Sequence, residues 1–127
     1  MVAQGIWDSV TIALASDFGR GIRGNGLGTD HAWGGHYFMA GGSVAGGKIH
    51  GDYWADMSFS NANTLNVGHG RMIPTIPWDA QWHAIAQWMD VLPEAMSVAL
   101  PNKDVFAAGT TPSGGPQLLQ RAEVFSN

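Results

Sequence analysis

The sequence predicts an α/β fold, a small and mostly parallel or mixed sheet with packed helices. The run Val10–Ala15 is apolar and ends at an acid and a glycine, as is typical of a central strand buried on both faces. After Pro77, apolar residues recur at spacings of three and four from Trp78 to about Met89, which predicts a helix. A chain of 127 residues is long enough for one domain with a core.

Shorter elements are predicted between and after these two. His36–Ala40 is predicted as a second strand and Lys48–Tyr53 as a third, more exposed strand. Residues 19–35 are rich in Gly, Asn and Thr without periodicity, which indicates a long surface loop. Residues 54–70 are polar and are predicted to be irregular, and a second short helix is predicted from Pro93 to before Leu100.

The predicted helix has an apolar face that should pack against the rest of the domain. That face consists of Trp78, Trp82, Ile85, Ala86 and Met89, and the polar residues away from it are Asp79, His83, Gln87 and Asp90. His83 is therefore predicted to be exposed. Trp78 and Trp82 could stack on a sugar ring, but core packing is the favoured interpretation of that spacing.

Composition divides the chain into a domain over residues 1–108 and a tail over residues 109–127. The tail begins with a Gly, Thr, Pro and Ser segment typical of a linker. Any helical turn between Gln117 and Val124 has only a weak amphipathic pattern.

The charge content excludes some classes of partner. A net charge of -4 with six Lys and Arg residues lacks the basic cluster that nucleic-acid binding requires. No apolar run reaches the ~18 residues of a membrane span, so a soluble chain without membrane contact is expected. Charged residues form 13% of the chain against about 25% in an average domain, which favours burial of some surface in a homo-oligomer. Absence of Cys excludes thiol catalysis and disulfides.

Acids and histidines are concentrated in the segment that follows the first strand. The candidate metal ligands there are Asp17, Asp30, His31 and His36. Carboxylates and imidazoles are the ligands that a water-activating divalent metal such as zinc, manganese or calcium needs. Neighbouring residues of an extended chain point to opposite sides, so Asp30 and His31 would share an ion only if the chain turns between them. The alternative is that these residues stabilise the loop by hydrogen bonds.

Two arginines in the same segment are candidates for binding an anion. The planar guanidinium groups of Arg20 and Arg23 could hold a small anionic ester by paired hydrogen bonds. An ion pair with Asp17 or Asp30 is the alternative, and it is the favoured one for at least one arginine. His69 and Arg71 are accounted for equally by an anion pocket or by a simple turn. No Ser-His-Asp order or Gly-x-Ser-x-Gly motif is present, so a triad hydrolase is not predicted.

The order of several motifs resembles a known family. These motifs are Ser16-Asp17-Phe18-Gly19-Arg20, Asn25-Gly26, Gly28-Thr29-Asp30-His31-Ala32-Trp33-Gly34, and Gly41-Gly42 followed by Gly46-Gly47-Lys48-Ile49-His50-Gly51-Asp52. They resemble the C-terminal portion of the domain-of-unknown-function 1501 family, a sulfatase-like branch of the alkaline phosphatase superfamily. The resemblance extends from about Trp7 to Phe106.

The resemblance implies the C-terminal part of an alkaline-phosphatase-like fold and hydrolysis of phosphate or sulfate esters. By this resemblance Asp17 and His31 are metal ligands and Arg20 is an anion contact, whereas Phe18 stands where a His ligand is usual in the superfamily. The nucleophile and further metal-binding acids of the superfamily precede the region that this chain resembles. The expectation is therefore a fragment or reduced form that is inactive in isolation, related to longer proteins that look exported to the periplasm. The alternative is a non-catalytic homo-oligomeric binding or structural module.

Overall fold

A computed structural model describes residues 1–60 and 62–126 of the chain. Residues 61 and 127, which fall in the predicted irregular segment and in the predicted tail, lie outside the described residues. The strands are β1 (Thr11–Ala13), β2 (Gly19–Gly24), β3 (Thr29–Ala32) and β4 (Met39–Gly41). The helices are α1 (Asp79–Trp88), α2 (Met96–Ala99), α3 (Lys103–Phe106) and α4 (Arg121–Val124), with short 3-10 turns at Val2–Gln4, Trp7–Ser9 and Pro93–Ala95. The chain thus combines helices and strands, as predicted.

The chain forms two compact units. The hairpin unit contains Ala13–Phe38 and Tyr53–Pro74, and the helical unit contains Met1–Ile12, Met39–Asp52 and the chain from Thr75 onward. Within the described residues, no helix combines the length and the apolar character that crossing a bilayer would demand.

The hairpin unit is built on β2 and β3, which run antiparallel. Gly19 lies opposite Ala32, Arg20 opposite His31, and Gly24 opposite Thr29, with a register irregularity between Arg20 and Gly24. The predicted surface loop over residues 19–35 is therefore a β-hairpin. The prediction of a mostly parallel or mixed sheet is wrong for this pair, because residues 25–28 are too few for the crossover that parallel strands require.

The remaining predicted strands are shorter than expected or absent. β1 pairs with β4, but Ile12 and Leu14 are 48% and 46% exposed, so the prediction of a strand buried on both faces is wrong. The described residues 48–53 form no strand, because Gly51 adopts φ 76°, which is outside the extended range. Between 54 and 70 the described residues form turns and irregular structure. Asn66 forms an isolated antiparallel β-bridge with Met72. That irregular segment was predicted.

The helical unit has its core between α1 and the C-terminal segment. The core residues are Ala80, Ala84, Leu119, Val124 and Phe125. The Trp88 ring stacks on Phe125 with 5.2 Å between ring centroids and an angle of 9°. Residues 109–127, predicted as a tail, therefore include side chains that build this core.

The buried face of α1 differs from the predicted one. Trp78 and Met89 are 47% and 67% exposed, whereas His83 is 8% exposed and lies with Nδ1 2.8 Å from the carbonyl oxygen of Leu119. The prediction of an apolar packing face is therefore wrong at Trp78 and Met89, and the prediction of an exposed His83 is wrong. The alanines at 80 and 84 allow the C-terminal segment to approach the helix closely, and the imidazole satisfies a carbonyl that this approach buries.

Candidate functional site

The β2–β3 hairpin positions most of the predicted site residues. Its loop is closed by a hydrogen bond from the Asn25 amide to the Gly28 carbonyl at 2.9 Å, and the Leu27 amide donates to Asn25 Oδ1 at 3.0 Å. Gly26 and Gly28 have φ of 92° and 152°, values that favour glycine. Loop and register together place Arg20 directly across from His31.

Phe18, Arg20 and His31 form one cluster on this hairpin. The Phe18 and His31 rings are stacked, with 4.0 Å between centroids. The Arg20 guanidinium carbon is 5.1 Å from the centroid of the Phe18 ring, and Nη1 donates to the Thr29 carbonyl at 2.7 Å. The arginine is thus held by a ring and by the backbone, and its remaining donors are available to an anion.

Asp17 lies in the exposed turn that enters β2. Ser16 Oγ donates to the Phe18 carbonyl at 3.0 Å, and Tyr37 Oη donates to the Ser16 carbonyl at 3.4 Å, so the turn is fixed on either side of the acid. Within the described residues, the Asp17 carboxylate takes no hydrogen bond and no ion pair. It is therefore available to a ligand.

Asp30 and His31 have different surroundings. Asp30 Oδ1 accepts a hydrogen bond from Asn25 Nδ2 at 2.9 Å, which is the loop-stabilising role predicted as an alternative. Asp30 also lines an open depression of about 340 Å³ together with Arg23, Gly24, Asn25 and His69. His31 instead stacks on Phe18.

His36 belongs to an aromatic group of the hairpin unit. Its ring is 5.0 Å from the Tyr53 ring, stacked, and 5.4 Å from the Trp54 ring, edge-on. Trp54 is fixed by a hydrogen bond from Nε1 to the Ile73 carbonyl at 2.9 Å. The described contacts of His36 are therefore with aromatic rings.

The predicted ion pairs of the two arginines are not formed among the described residues. The ion pairs in that part of the chain join Lys103 to Asp104 and Arg121 to Asp90. Arg20 contacts Phe18, and the Arg23 guanidinium carbon lies 5.7 Å from the Phe59 ring centroid. Neither guanidinium group therefore has a carboxylate partner in residues 1–60 and 62–126.

The residues present do not complete the metal centre that the resemblance implies. Over residues 1–60 and 62–126, no group of three or more His, Asp or Glu side chains is arranged to hold a metal ion. Asp17 and His31 are at most two ligands, and a catalytic zinc site usually has three from the protein.

Two residues of the hairpin unit were missed by sequence reasoning. Asn25 holds Asp30, and Phe59 lies beneath the Arg23 guanidinium. The Asn25-Gly26 pair is a strong hairpin signal and could have identified both the turn and the antiparallel pairing. Nothing in the sequence around Phe59 indicates its contact with a residue 36 positions earlier.

The structure is that of a small protein of helices and short strands, in which an acidic turn follows the first strand and leads into a hairpin that contains a histidine. The chain matches the family described as "Protein of unknown function (DUF1501)" over residues 1–68, which is more than half of its length. It belongs to this family. No curated protein and no solved structure matches the chain.

Proposed function

We propose that this chain is a reduced phosphate- or sulfate-ester hydrolase-like domain of the sulfatase-like, alkaline-phosphatase-related class. In this proposal Asp17 and His31 are metal ligands, Arg20 contacts the anionic ester, and the chain alone does not turn over substrate. The family match covers all three residues, and the resemblance of this region to the sulfatase-like branch supports their proposed roles.

The observation that carries the proposal is the hairpin geometry. An exposed Asp17 carboxylate without a partner in the described chain precedes a strand on which Arg20 lies opposite His31. A free carboxylate, an imidazole and a guanidinium on one hairpin are the groups that bind a divalent cation and the anion of an ester.

Inactivity in isolation is proposed from the same geometry. The described residues offer no third ligand to the pair, and Phe18 presents an apolar ring to His31. A water molecule is not activated strongly without a bound metal or a positioned general base, so hydrolysis should stay near the uncatalysed rate.

Ester hydrolysis and metal binding by the purified chain test the proposal. Aryl phosphate and aryl sulfate are incubated with the protein and zinc, manganese or calcium, and metal binding is measured by equilibrium dialysis at known concentrations of free metal. We expect weak metal binding that Asp17→Asn and His31→Ala each reduce, without turnover above the background. Asp104→Asn, in the helical unit, serves as the matched control.

Two outcomes would overturn the proposal. Turnover that Asp17→Asn and His31→Ala both abolish would show a complete active site in this chain. Metal binding that neither variant changes, or that Asp104→Asn changes equally, would remove Asp17 and His31 from the ligand set.

A non-catalytic homo-oligomeric binding or structural module is the second candidate function. Many large apolar side chains are exposed, among them Leu27 at 103%, Ile49 at 82% and Val98 at 85%. In a homo-oligomer a second copy could cover such side chains, and their removal from water would stabilise the assembly. Sedimentation at micromolar concentration tests this candidate: a dimer or larger species supports it, and a compact monomer contradicts it.

A further inference from the structure

We propose that the depression beside the β2–β3 hairpin binds a small anionic sugar, a ligand that carries both hydroxyl groups and one phosphate, sulfate or carboxylate group. The depression is lined by Arg23, Gly24, Asn25, Asp30 and His69 and has a volume of about 340 Å³. The depression is open to solvent, and its volume lies at the lower end of the range of roughly 300 to 1,000 Å³ for ligand pockets, which leaves room for a single monosaccharide. The inference does not depend on the metal ligands of the proposed function.

Arg23 supplies the anion-binding group. Its guanidinium carbon lies 5.7 Å from the Phe59 ring centroid, a cation–π distance that restricts where the planar group can lie. No carboxylate in the described chain pairs with it. A guanidinium held on a ring with its donors unused is suited to bidentate binding of phosphate, sulfate or carboxylate.

Asp30 and Asn25 supply the selectivity for hydroxyl groups. Asp30 Oδ1 accepts one hydrogen bond, from Asn25 Nδ2, and an ionised carboxylate has acceptor capacity for further donors. A bare inorganic anion would be repelled by this carboxylate, whereas the hydroxyls of a sugar would donate to it. With Arg23 and Asp30 balancing each other, the site favours a ligand that has donors as well as a negative charge.

His69 lies on a strained turn at the rim of the depression. It adopts φ 56° between Gly68 and Gly70, at φ 94° and 74°, although the left-handed region is unfavourable for a residue with a side chain. The turn is fixed because Asn66 Oδ1 accepts from the amides of Gly68 and Gly70 at 3.0 and 3.2 Å. A histidine kept in this conformation beside Arg23 supplies a further donor or acceptor to the ligand.

Calorimetric titration of the intact chain in a chelator-containing buffer tests the inference. The probes are glucose 6-phosphate, glucose 6-sulfate, glucose and inorganic phosphate. We expect the two sugar esters to bind with dissociation constants in the range of about 0.1 to 1 mM, and glucose and phosphate to bind at least ~10-fold more weakly. Arg23→Ala should weaken binding of the esters at least ~10-fold, and the matched control Arg121→Ala should leave it unchanged.

Asp30→Asn separates a sugar site from a simple anion site. Removal of the carboxylate should weaken the binding of glucose 6-phosphate and strengthen that of inorganic phosphate. If Asp30→Asn strengthens both, the site selects charge alone and the inference is wrong. It is also wrong if no sugar ester binds at about 10 mM. A third contrary result would be that the esters bind in buffer without chelator and do not bind in buffer with chelator, because the ligand would then be held through a metal ion. Amide NMR shifts confined to residues 23–30 and 68–70 would locate the ligand independently of affinity.

Discussion

Phe18 determines the surroundings of the His31 imidazole in this hairpin. Its ring stacks on the imidazole at 4.0 Å and lies beneath the Arg20 guanidinium at 5.1 Å. An apolar ring at this place offers no lone pair to a metal, so the contact that Phe18 gives His31 is a packing contact. The chemistry of the cluster therefore depends on one side chain.

Phe18→His should raise the affinity of the chain for zinc. The new imidazole would lie beside His31, and two adjacent imidazoles hold zinc more tightly than one; we expect at least a ~10-fold increase, or about 1.4 kcal/mol. Competition with a chromophoric chelator measures this affinity. Phe38→His, at another exposed Phe of the hairpin unit, is the control. Equal gains in both variants would show that the Phe18 position is not special.

At the scale of the element, the hairpin depends on close approach between backbones. A Cβ at Gly19 would lie 1.8 Å from the Gly34 carbonyl oxygen, so only glycine fits at the start of β2. Asn25-Gly26 could have predicted the hairpin from sequence, because that pair favours a tight turn between strands. The contact of Gly19 with Gly34 could not be predicted, since it depends on the return path of the chain after β3.

Gly19→Ala should destabilise the hairpin unit strongly. The clash with Gly34 can be relieved only by separating the two backbone segments, which should cost roughly 3 kcal/mol. Amide hydrogen exchange over residues 19–32 measures the loss of protection. Gly46→Ala is the matched control, because a Cβ there meets no atom within 4 Å. Similar exchange in both variants would contradict the close contact.

Helix α1 shows why its position was predictable and its buried face was not. Pro77 and the spacing of apolar residues predicted the helix, and the observed bounds are Asp79–Trp88. The large residues at 78 and 89 suggested the packing side, yet the buried positions include Ala80 and Ala84, both 0% exposed. Burial here follows from how closely the C-terminal segment approaches, and periodicity alone does not encode that distance.

Ala84→Leu should destabilise the helical unit, whereas Met89→Ala should not. The larger side chain at a position that is 0% exposed would push the C-terminal segment away, at a cost of about 1 to 3 kcal/mol. Met89 is 67% exposed, so its truncation should change stability by no more than ~0.5 kcal/mol. Urea unfolding followed by Trp fluorescence measures both. A larger loss for Met89→Ala would favour the face that the sequence predicted.

At the scale of the whole chain, distant segments of the helical unit are joined by polar contacts. The Asp52 amide donates to Thr75 Oγ1 at 2.9 Å, and the Ser113 amide donates to Asp52 Oδ2 at 2.7 Å. Lys48 Nζ donates to the Glu123 carbonyl at 3.3 Å. The composition of residues 109–115 predicts a linker, and these partners lie too far away in sequence to be inferred from it.

His50 should make the chain less stable as the pH falls from 7 to 5. Burial lowers the pKa of the half-buried imidazole below its usual 6.5, against an opposing effect of Glu123. The unfolded state therefore binds a proton at a higher pH than the folded state, and the free energy of unfolding falls on acidification below about pH 6.5. Urea midpoints at the two pH values measure the slope. His50→Gln should reduce it, and an unchanged slope would exclude His50 as the cause.

The Asp52–Ser113 contact should also make the stability of the chain depend on pH, in a more acidic range than His50 does. The side-chain and backbone hydrogen bonds from Ser113 lower the pKa of the Asp52 carboxyl below its usual 3.8. The folded state therefore keeps this carboxylate ionised where the unfolded state has begun to bind a proton. Its contribution to stability is present above about pH 3.9 and is lost as the pH falls through the lower, folded-state pKa.

Ser113→Ala tests this contact, because it removes the Oγ donor and leaves the backbone amide. The variant should unfold at a lower urea concentration than the wild type at pH 7, and the difference between the two midpoints should shrink as the pH is lowered below about 3.9. Ser97→Ala, at an exposed position in α2, is the matched control and should follow the wild type at every pH. A difference between Ser113→Ala and wild type that stays constant down to the acid transition would show that the hydroxyl acts without the Asp52 charge.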